Sequence, residues 1–254
     1  MSRDKMIKAY VGKIKHDPES LRIMEEAKRV LAFSPHPDDV EIAAGAFLAS
    51  AVSRGAEVRV VVVSDDRMSV GSLDPHDDEV ISLRRAEEME AMGELEVRDV
   101  QFLNYVDSQV PEPRVIREDF IRITRSYAPD LVITLDPYLP YEAHPDHVNT
   151  GLAAMQAVLF HSLPRIVRDV RPVSQQPNLA LGATLRPNVA LCVDPFMEKK
   201  LRAVRAHRSQ FGEDILELIT AISSAVGGIV GCRFGEAFRV MRPWEIHVNL
   251  LADL

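Results

Sequence analysis

Only two cysteines, Cys192 and Cys232, occur in the 254-residue chain, too few for a disulfide framework and without zinc-finger spacing. They are expected as reduced, buried thiols of a cytoplasmic protein. No apolar run is long enough to span a bilayer. The opening residues, Met1-Ser2-Arg3-Asp4-Lys5-Met6, lack the hydrophobic core of a signal peptide. Positive charge is in deficit: 30 Lys and Arg stand against 38 Asp and Glu, a formal charge of −8. That balance argues against nucleic acid or an anionic membrane as the main partner. No glycine-rich phosphate loop follows the first apolar stretch, which counts against a phosphate-binding nucleotide fold. Internal repeats and low-complexity segments are absent too.

Against that background, Ser34-Pro35-His36-Pro37-Asp38-Asp39-Val40-Glu41 stands out. Residues 29–33 before it read as a short buried strand, and residues 42–51 after it as an Ala- and Leu-rich helix. The polar cluster therefore falls at the carboxyl end of a strand, where open parallel sheets bind ligands at a topological switch point. Zinc accepts imidazole nitrogen and carboxylate oxygen, and a catalytic zinc keeps one position for water. His36 and Asp39 are placed to converge on one ion while Asp38 remains free as a base. The competing reading is a helix cap, since Asp at a helix start satisfies orphan donors and complements the helix dipole.

Tyr141-Glu142-Ala143-His144-Pro145-Asp146-His147 repeats the arrangement. It follows a second apolar strand candidate, residues 131–135, and precedes a helical run over 148–159, with Pro145 suited to the first helical position. Two His and one Asp here would supply a third metal ligand and a general acid. A lone His pair is more often structural, but two such clusters at equivalent junctions favour a shared metal site. Asp74-Pro75-His76-Asp77-Asp78 is a decoy: no apolar strand precedes it, and residues 67–78 read as a solvent-exposed loop.

Strand and helix patterns alternate along the chain. Residues 57–63 form a near-continuous valine run that fits a parallel strand covered on both faces. Helical spacing follows over 79–94 and 114–127, with a short strand at 100–103. The fold class expected is α/β, a Rossmann-like doubly wound and mostly parallel sheet with helices on both faces, plus a small C-terminal elaboration. One domain is expected over 1–254, with peripheral N-terminal helices in 1–28, the core in 29–161, and strands, helices and a rim in 162–254. Two strands near 179–183 and 188–193, a helix running to His207, a small-residue run at 221–231 and a final strand at 238–241 complete the C-terminal part.

His36-Pro37-Asp38-Asp39 with His144-Pro145-Asp146-His147 resembles the paired signature of the LmbE/PIG-L family of zinc-dependent sugar N-deacetylases. Arg84-Arg85-Ala86-Glu87, Ala206-His207-Arg208-Ser209-Gln210 and Gly235-Glu236-Ala237-Phe238-Arg239 agree with it in order. Phe102-Leu103-Asn104-Tyr105 and Leu139-Pro140-Tyr141-Glu142 are similar to the diacetylchitobiose deacetylases within that family. The resemblance implies an LmbE-like fold and one zinc per chain on His36, Asp39 and His147. It implies Asp38 as general base, His144 as stabiliser of the oxyanion when protonated, and Asp146 as the group that orients His144. It further implies substrate contacts from Arg84, Asp65, Tyr105 and His207, although a surface ion pair for Arg84 and a helix-terminal role for His207 compete. An N-acetylglucosamine-type or diacetylchitobiose-like substrate and a homo-oligomer, often a hexamer in such relatives, follow from the same resemblance. Deacetylation of a thiol-cofactor precursor or antibiotic glycoside is the alternative within the chemistry. A metal-dependent carbohydrate binder without turnover is the alternative outside it, and Asp38 beside the ligands argues against that, since a binder needs no base.

Overall fold

The computed structural model describes residues 2–69 and 76–248. Two N-terminal helices, α1 (Arg3–Val11) and α2 (Pro18–Glu26), precede the sheet. The Asp17 carboxylate caps α2 by accepting from Glu19 N. Strands and helices then alternate: β1 (Arg29–Ser34), α3 (Asp39–Ser53), β2 (Glu57–Ser64), α4 (Asp77–Glu94), β3 (Asp99–Tyr105), α5 (Pro113–Tyr127), β4 (Leu131–Leu135) and α6 (Pro145–Phe160). The C-terminal part adds β5 (Asn178–Gly182), β6 (Val189–Cys192), α7 (Met197–Ala206), α8 (Glu213–Ile229) and β7 (Gly235–Met241).

The seven strands lie in the order β3-β2-β1-β4-β5-β7-β6. The pairs from β3 through β5 are parallel, and β7 runs antiparallel to both β5 and β6. The chain builds outward from β1 to β3 on one side and from β4 to β5 on the other. The order therefore reverses between β1 and β4, opening a crevice at their carboxyl ends. The stretch after β1 and the stretch after β4 both empty into that crevice.

Burial explains why the strands read as continuous apolar runs. Val30 and Ala32 of β1 enter one core with Val60, Val62, Phe47 and Leu48. Leu31 and Phe33 enter the other with Val61, Val63, Phe120 and Ala153. Alternate residues thus serve opposite faces, as a sheet covered by helices on both sides requires. The Phe33 and Phe120 rings stack with centroids 4.0 Å apart, fixing α5 on β1.

Three features bear on the sequence reading. The small-residue run at 221–231 belongs mostly to α8, whose buried stripe is Leu216, Ile219, Ser223, Val226 and Gly227. Gly227 is required there, because a Cβ would lie 2.5 Å from Phe234 N. Cys192 is exposed and Cys232 half-buried, correcting the expectation of two buried thiols. Of the decoy stretch, Asp74 and Pro75 lie outside the described residues, as do 70–73 of the expected loop; His76 and Asp77 are exposed at the start of α4. The proline-rich 162–177 segment is held by buried Arg125, which donates to the carbonyls of His161, Leu163, Ile166, Val167 and Val170. Among the described residues, no helix is long and apolar enough to cross a membrane.

Candidate active site and metal centre

The turn from β1 into α3 holds Asp38 at φ +99°, a left-handed conformation that costs a non-glycine residue roughly 1–3 kcal/mol. This kink separates the two neighbouring carboxylates. Asp39 turns inward as the first residue of α3, and Asp38 turns toward α4. His36 Nδ1 lies 3.2 Å from Asp39 Oδ2, and His147 Nε2, arriving from α6, lies 3.4 Å from the same oxygen. In a tetrahedral zinc site with bonds near 2.0–2.1 Å, ligand atoms stand about 3.3 Å apart. The spacing, and the mix of two imidazoles and one carboxylate, fit zinc.

The surroundings reinforce that fit. His36 Nε2 lies 3.2 Å from Asp146 Oδ2 and 3.3 Å from Asp107 Oδ1, and His147 Nδ1 lies 3.2 Å from Glu142 Oε2. Each imidazole therefore has a carboxylate behind it, the arrangement that fixes ring orientation and raises ligand basicity. Burial pushes the His36 imidazole down, yet Asp107, Asp146 and Asp39 outweigh it and hold its pKa far above the usual range. Burial likewise acts to raise Asp39, but the His36 hydrogen bond and the His147 and His36 charges leave it lowered. The cluster is short of positive charge, which a divalent cation would supply.

Asp146 is completely buried and makes a contact that sequence spacing did not reveal. Its Oδ2 faces His36 and accepts from Ser108 N at 2.7 Å, while its Oδ1 accepts from Val110 N at 3.1 Å. Its carboxylate contacts His36, while its backbone N–H meets His144, the residue it was expected to orient. His144 instead caps α6, its Nδ1 accepting from Asp146 N at 3.3 Å. The His144 ring stacks on His147 at 4.8 Å and meets His36 edge-on at 4.6 Å. Burial, together with the His36 and His147 charges, lowers its pKa. His144 thus meets Asp146 through that residue's backbone N–H, with Nδ1 as the acceptor.

Asp38 is anchored by Arg84, whose Nη2 donates to its Oδ2 at 2.6 Å and to Pro37 O at 2.8 Å. Arg84 also donates to Asp66 through Nε and to Glu87 Oε2 at 2.8 Å. Only 1 % of its side chain is exposed, so its N–H groups are spent on these partners and none faces a sugar. Burial raises the Asp38 pKa, reinforced by Asp39 and opposed by Arg84. Behind this pair, Glu88 Oε2 accepts from Asp38 N at 3.3 Å, and His207 Nε2 lies 2.9 Å from Glu41 Oε1. Glu41, Glu88 and His207 are wholly buried. Burial moves Glu41 up to about 7 and His207 down to about 4.

The four residues expected at the substrate all have protein partners. Arg84 and His207 sit beneath the site. The Asp65 carboxylate accepts from Arg67 and from Asp107 N at 3.1 Å, fixing Asp107 rather than lining the opening. Tyr105 donates its hydroxyl to Asp119. Sequence reasoning missed Asp107 and Glu142 as supports of the imidazoles. Glu142 had a signal, lying within the His144–His147 stretch, whereas Asp107 had only its place just past β3.

A cleft of about 140 Å³ opens beside Asp39 and His147, walled by Ile42, Ala43, Leu135, Leu139 and Glu142. Ile42, Ala43, Leu139 and Ala183 also line a larger, mainly apolar hollow of about 440 Å³ against α1 and α8. The reacting group would enter this cleft beside Asp39 and His147, and its apolar walls limit water there.

The PIG-L family, described as GlcNAc-PI de-N-acetylase, matches residues 31–158, which span β1 to α6 and both His-Asp stretches. The diacetylchitobiose deacetylase of Thermococcus kodakarensis is 33% identical over 234 residues, covering 88% of this chain and 86% of that protein. The structure of N,N'-diacetylchitobiose deacetylase from Pyrococcus horikoshii, complexed with its inhibitor MPG, superposes with a TM-score of 0.86 at 32% identity, covering 100% of this chain and 98% of that one. A probable N-acetyl-alpha-D-glucosaminyl L-malate deacetylase of Bacillus anthracis is 27% identical, over 77% of this chain and 87% of that protein.

Proposed function

This chain belongs to the PIG-L family of de-N-acetylases, and from that premise we propose that it is a metal-dependent hydrolase removing the N-acetyl group of an N-acetylglucosamine-type sugar, with diacetylchitobiose the foremost candidate. The observation that carries the reading is the convergence of His36, Asp39 and His147 at zinc-ligand spacing with Asp38 beside them. These three residues would hold one zinc per chain. A zinc ion there supplies Lewis-acid polarisation of the amide carbonyl and acidifies water.

The protein groups divide the remaining work. Asp38, held by Arg84, takes a proton from the attacking water as general base. Its left-handed backbone and the Arg84 Nη2 bond to Oδ2 restrain the carboxylate beside the metal-ligand cluster. His144 donates from Nε2 to the oxygen that gains charge in the tetrahedral state, because its Nδ1 is already engaged by Asp146 N. The proton collected by Asp38 is then available to the departing nitrogen, which must leave as a neutral amine. Asp146, Asp107 and Glu142 keep the two imidazoles in place and touch no substrate atom in this scheme.

The same reading includes a cytoplasmic location, expected from the opening residues without a signal-peptide core and the few cysteines, and self-association into a homo-oligomer, implied by the family resemblance; light scattering reads the second. The test of function is amine release from N-acetylglucosamine and from diacetylchitobiose by the purified protein. Release from either supports the deacetylase, and the ratio of kcat/KM values ranks them. Absence of release from both, with metal bound, would remove this substrate class and turn the search to larger N-acyl glycosides, for which the adjoining apolar hollow offers room.

A further inference from the structure

The two cysteines of the chain, separated by about forty residues in sequence, meet at the far edge of the sheet. Their Sγ atoms and a carboxylate oxygen of Asp194 all lie within 4.8 Å of one another. The backbone holds them there. Cys192 ends β6 opposite Gly235 of β7, and Val193 N donates to Phe234 O at 2.9 Å. Cys232 N donates to Gly227 O at 3.0 Å, which fixes the turn between α8 and β7. Both Asp194 carboxylate oxygens accept from this turn, at 3.1 Å from Arg233 N and 2.6 Å from Phe234 N. Asp194 is therefore committed to the backbone, which disfavours a Cys-Asp-Cys metal site. Cys192 is exposed to reagents, and Cys232 is half-buried with its Sγ 3.0 Å from Phe234 O.

We propose that Cys192 and Cys232 are a disulfide-forming pair, oxidised by low-molecular-weight disulfides of the glutathione type, which staples the end of β6 to the turn leading from α8 into β7. The exposed Cys192 thiolate attacks one sulfur of the reagent, forms a mixed disulfide and releases one reagent thiolate, which takes up the Cys192 proton. Cys232 then loses its proton and attacks the Cys192 sulfur, and the second reagent thiol departs with that proton. Two electrons pass from the pair to the reagent, so one disulfide forms as one is reduced. Burial, with the neighbouring Cys192 thiol, raises the Cys232 pKa to about 12, so Cys232 is not the thiol that attacks the reagent first. The thiols are already neighbours in the reduced protein, so closure requires side-chain rotation and little backbone movement.

Treating the full-length protein with oxidised glutathione under native conditions tests this. Both thiols should become unreactive, the intact mass should fall by two hydrogens, and Tm should rise by about 8–16 °C, given the loop closed. Reductant should reverse all three. Cys192→Ser and Cys232→Ser should each lose this gain, and Cys232→Ser should stop at the mixed disulfide. Retention of both thiols, arrest of the wild-type protein at the mixed disulfide, chain-to-chain dimers through Cys192, or protection of both thiols by bound metal would each overturn the proposal.

Discussion

Replacing Arg84 separates the account given by the structure from the one read off the sequence. A substrate-contacting arginine, changed to Met, would raise KM and leave stability nearly untouched. The structure places Arg84 between Asp38, Asp66 and Glu87, with side-chain exposures of 14 %, 6 % and 5 % respectively. Removing the one cation leaves three confined carboxylates unpaired, and breaking a buried pair in this way costs about 3–5 kcal/mol. Proton uptake by the carboxylates relieves part of this. The lower end, about 3 kcal/mol, corresponds to a Tm decrease of about 6–12 °C for a chain of this size. Catalysis changes in a defined direction too. Arg84 opposes the rise in the Asp38 pKa caused by burial and Asp39. Without it, Asp38 ionises at higher pH and the acidic limb of the kcat/KM profile moves to higher pH. Arg84→Lys keeps the charge but loses the fork, so it should recover part of the stability and little of the rate. Calorimetry and a pH–rate profile on the three proteins decide the matter. An unchanged Tm with a raised KM and an unmoved pH profile would refute the reasoning.

Asp38→Asn should retain metal and lose about 10²–10⁴-fold in kcat, the usual contribution of a positioned base; metal analysis beside kinetics checks it, and near-full activity would remove the assignment. Asp146→Asn should weaken metal binding by about 10–100-fold, because His36 loses the carboxylate that orients it; metal titration distinguishes this from a change confined to His144, which would lower rate alone. His207 should make the fold acid-sensitive. Its pKa is about 4 when folded and about 6.5 when unfolded, so the unfolded state binds the proton first and stability falls as pH drops through that window. Relative to His207→Gln, wild type should lose at most about 3 kcal/mol between pH 7 and pH 4 in denaturant titrations. Glu41, raised to about 7, acts in the opposite sense in the same protein, and the paired comparison cancels most of its effect.

Legibility in the sequence followed the range of the interactions. The strands β1, β2 and β4 were visible because burial on both faces makes them continuous apolar runs, and the His-Asp stretches were visible because each lies just past a strand. The crevice between β1 and β4 could be anticipated from strand–helix alternation. Helix α8 was obscured by its Ser223-Ser224 and Gly227-Gly228 pairs, which lower helix propensity although the buried stripe from Leu216 to Gly227 is helical. The contact of Asp146 with His36 was not legible: it spans 110 residues, while the family resemblance pointed to His144. Arg84 and His207 look like ligand-facing residues by type alone. Only three-dimensional packing shows that carboxylates behind the site consume their hydrogen-bonding capacity.

Metal removal and return tests the central claim most directly. The purified protein would be stripped with a chelator and assayed for amine release, then titrated with zinc while metal content is measured in parallel. The account predicts loss of activity, recovery at one equivalent per chain, and failure of His147→Ala either to retain that equivalent or to recover. Full activity in the metal-free protein, or unchanged stoichiometry in His147→Ala, would contradict it.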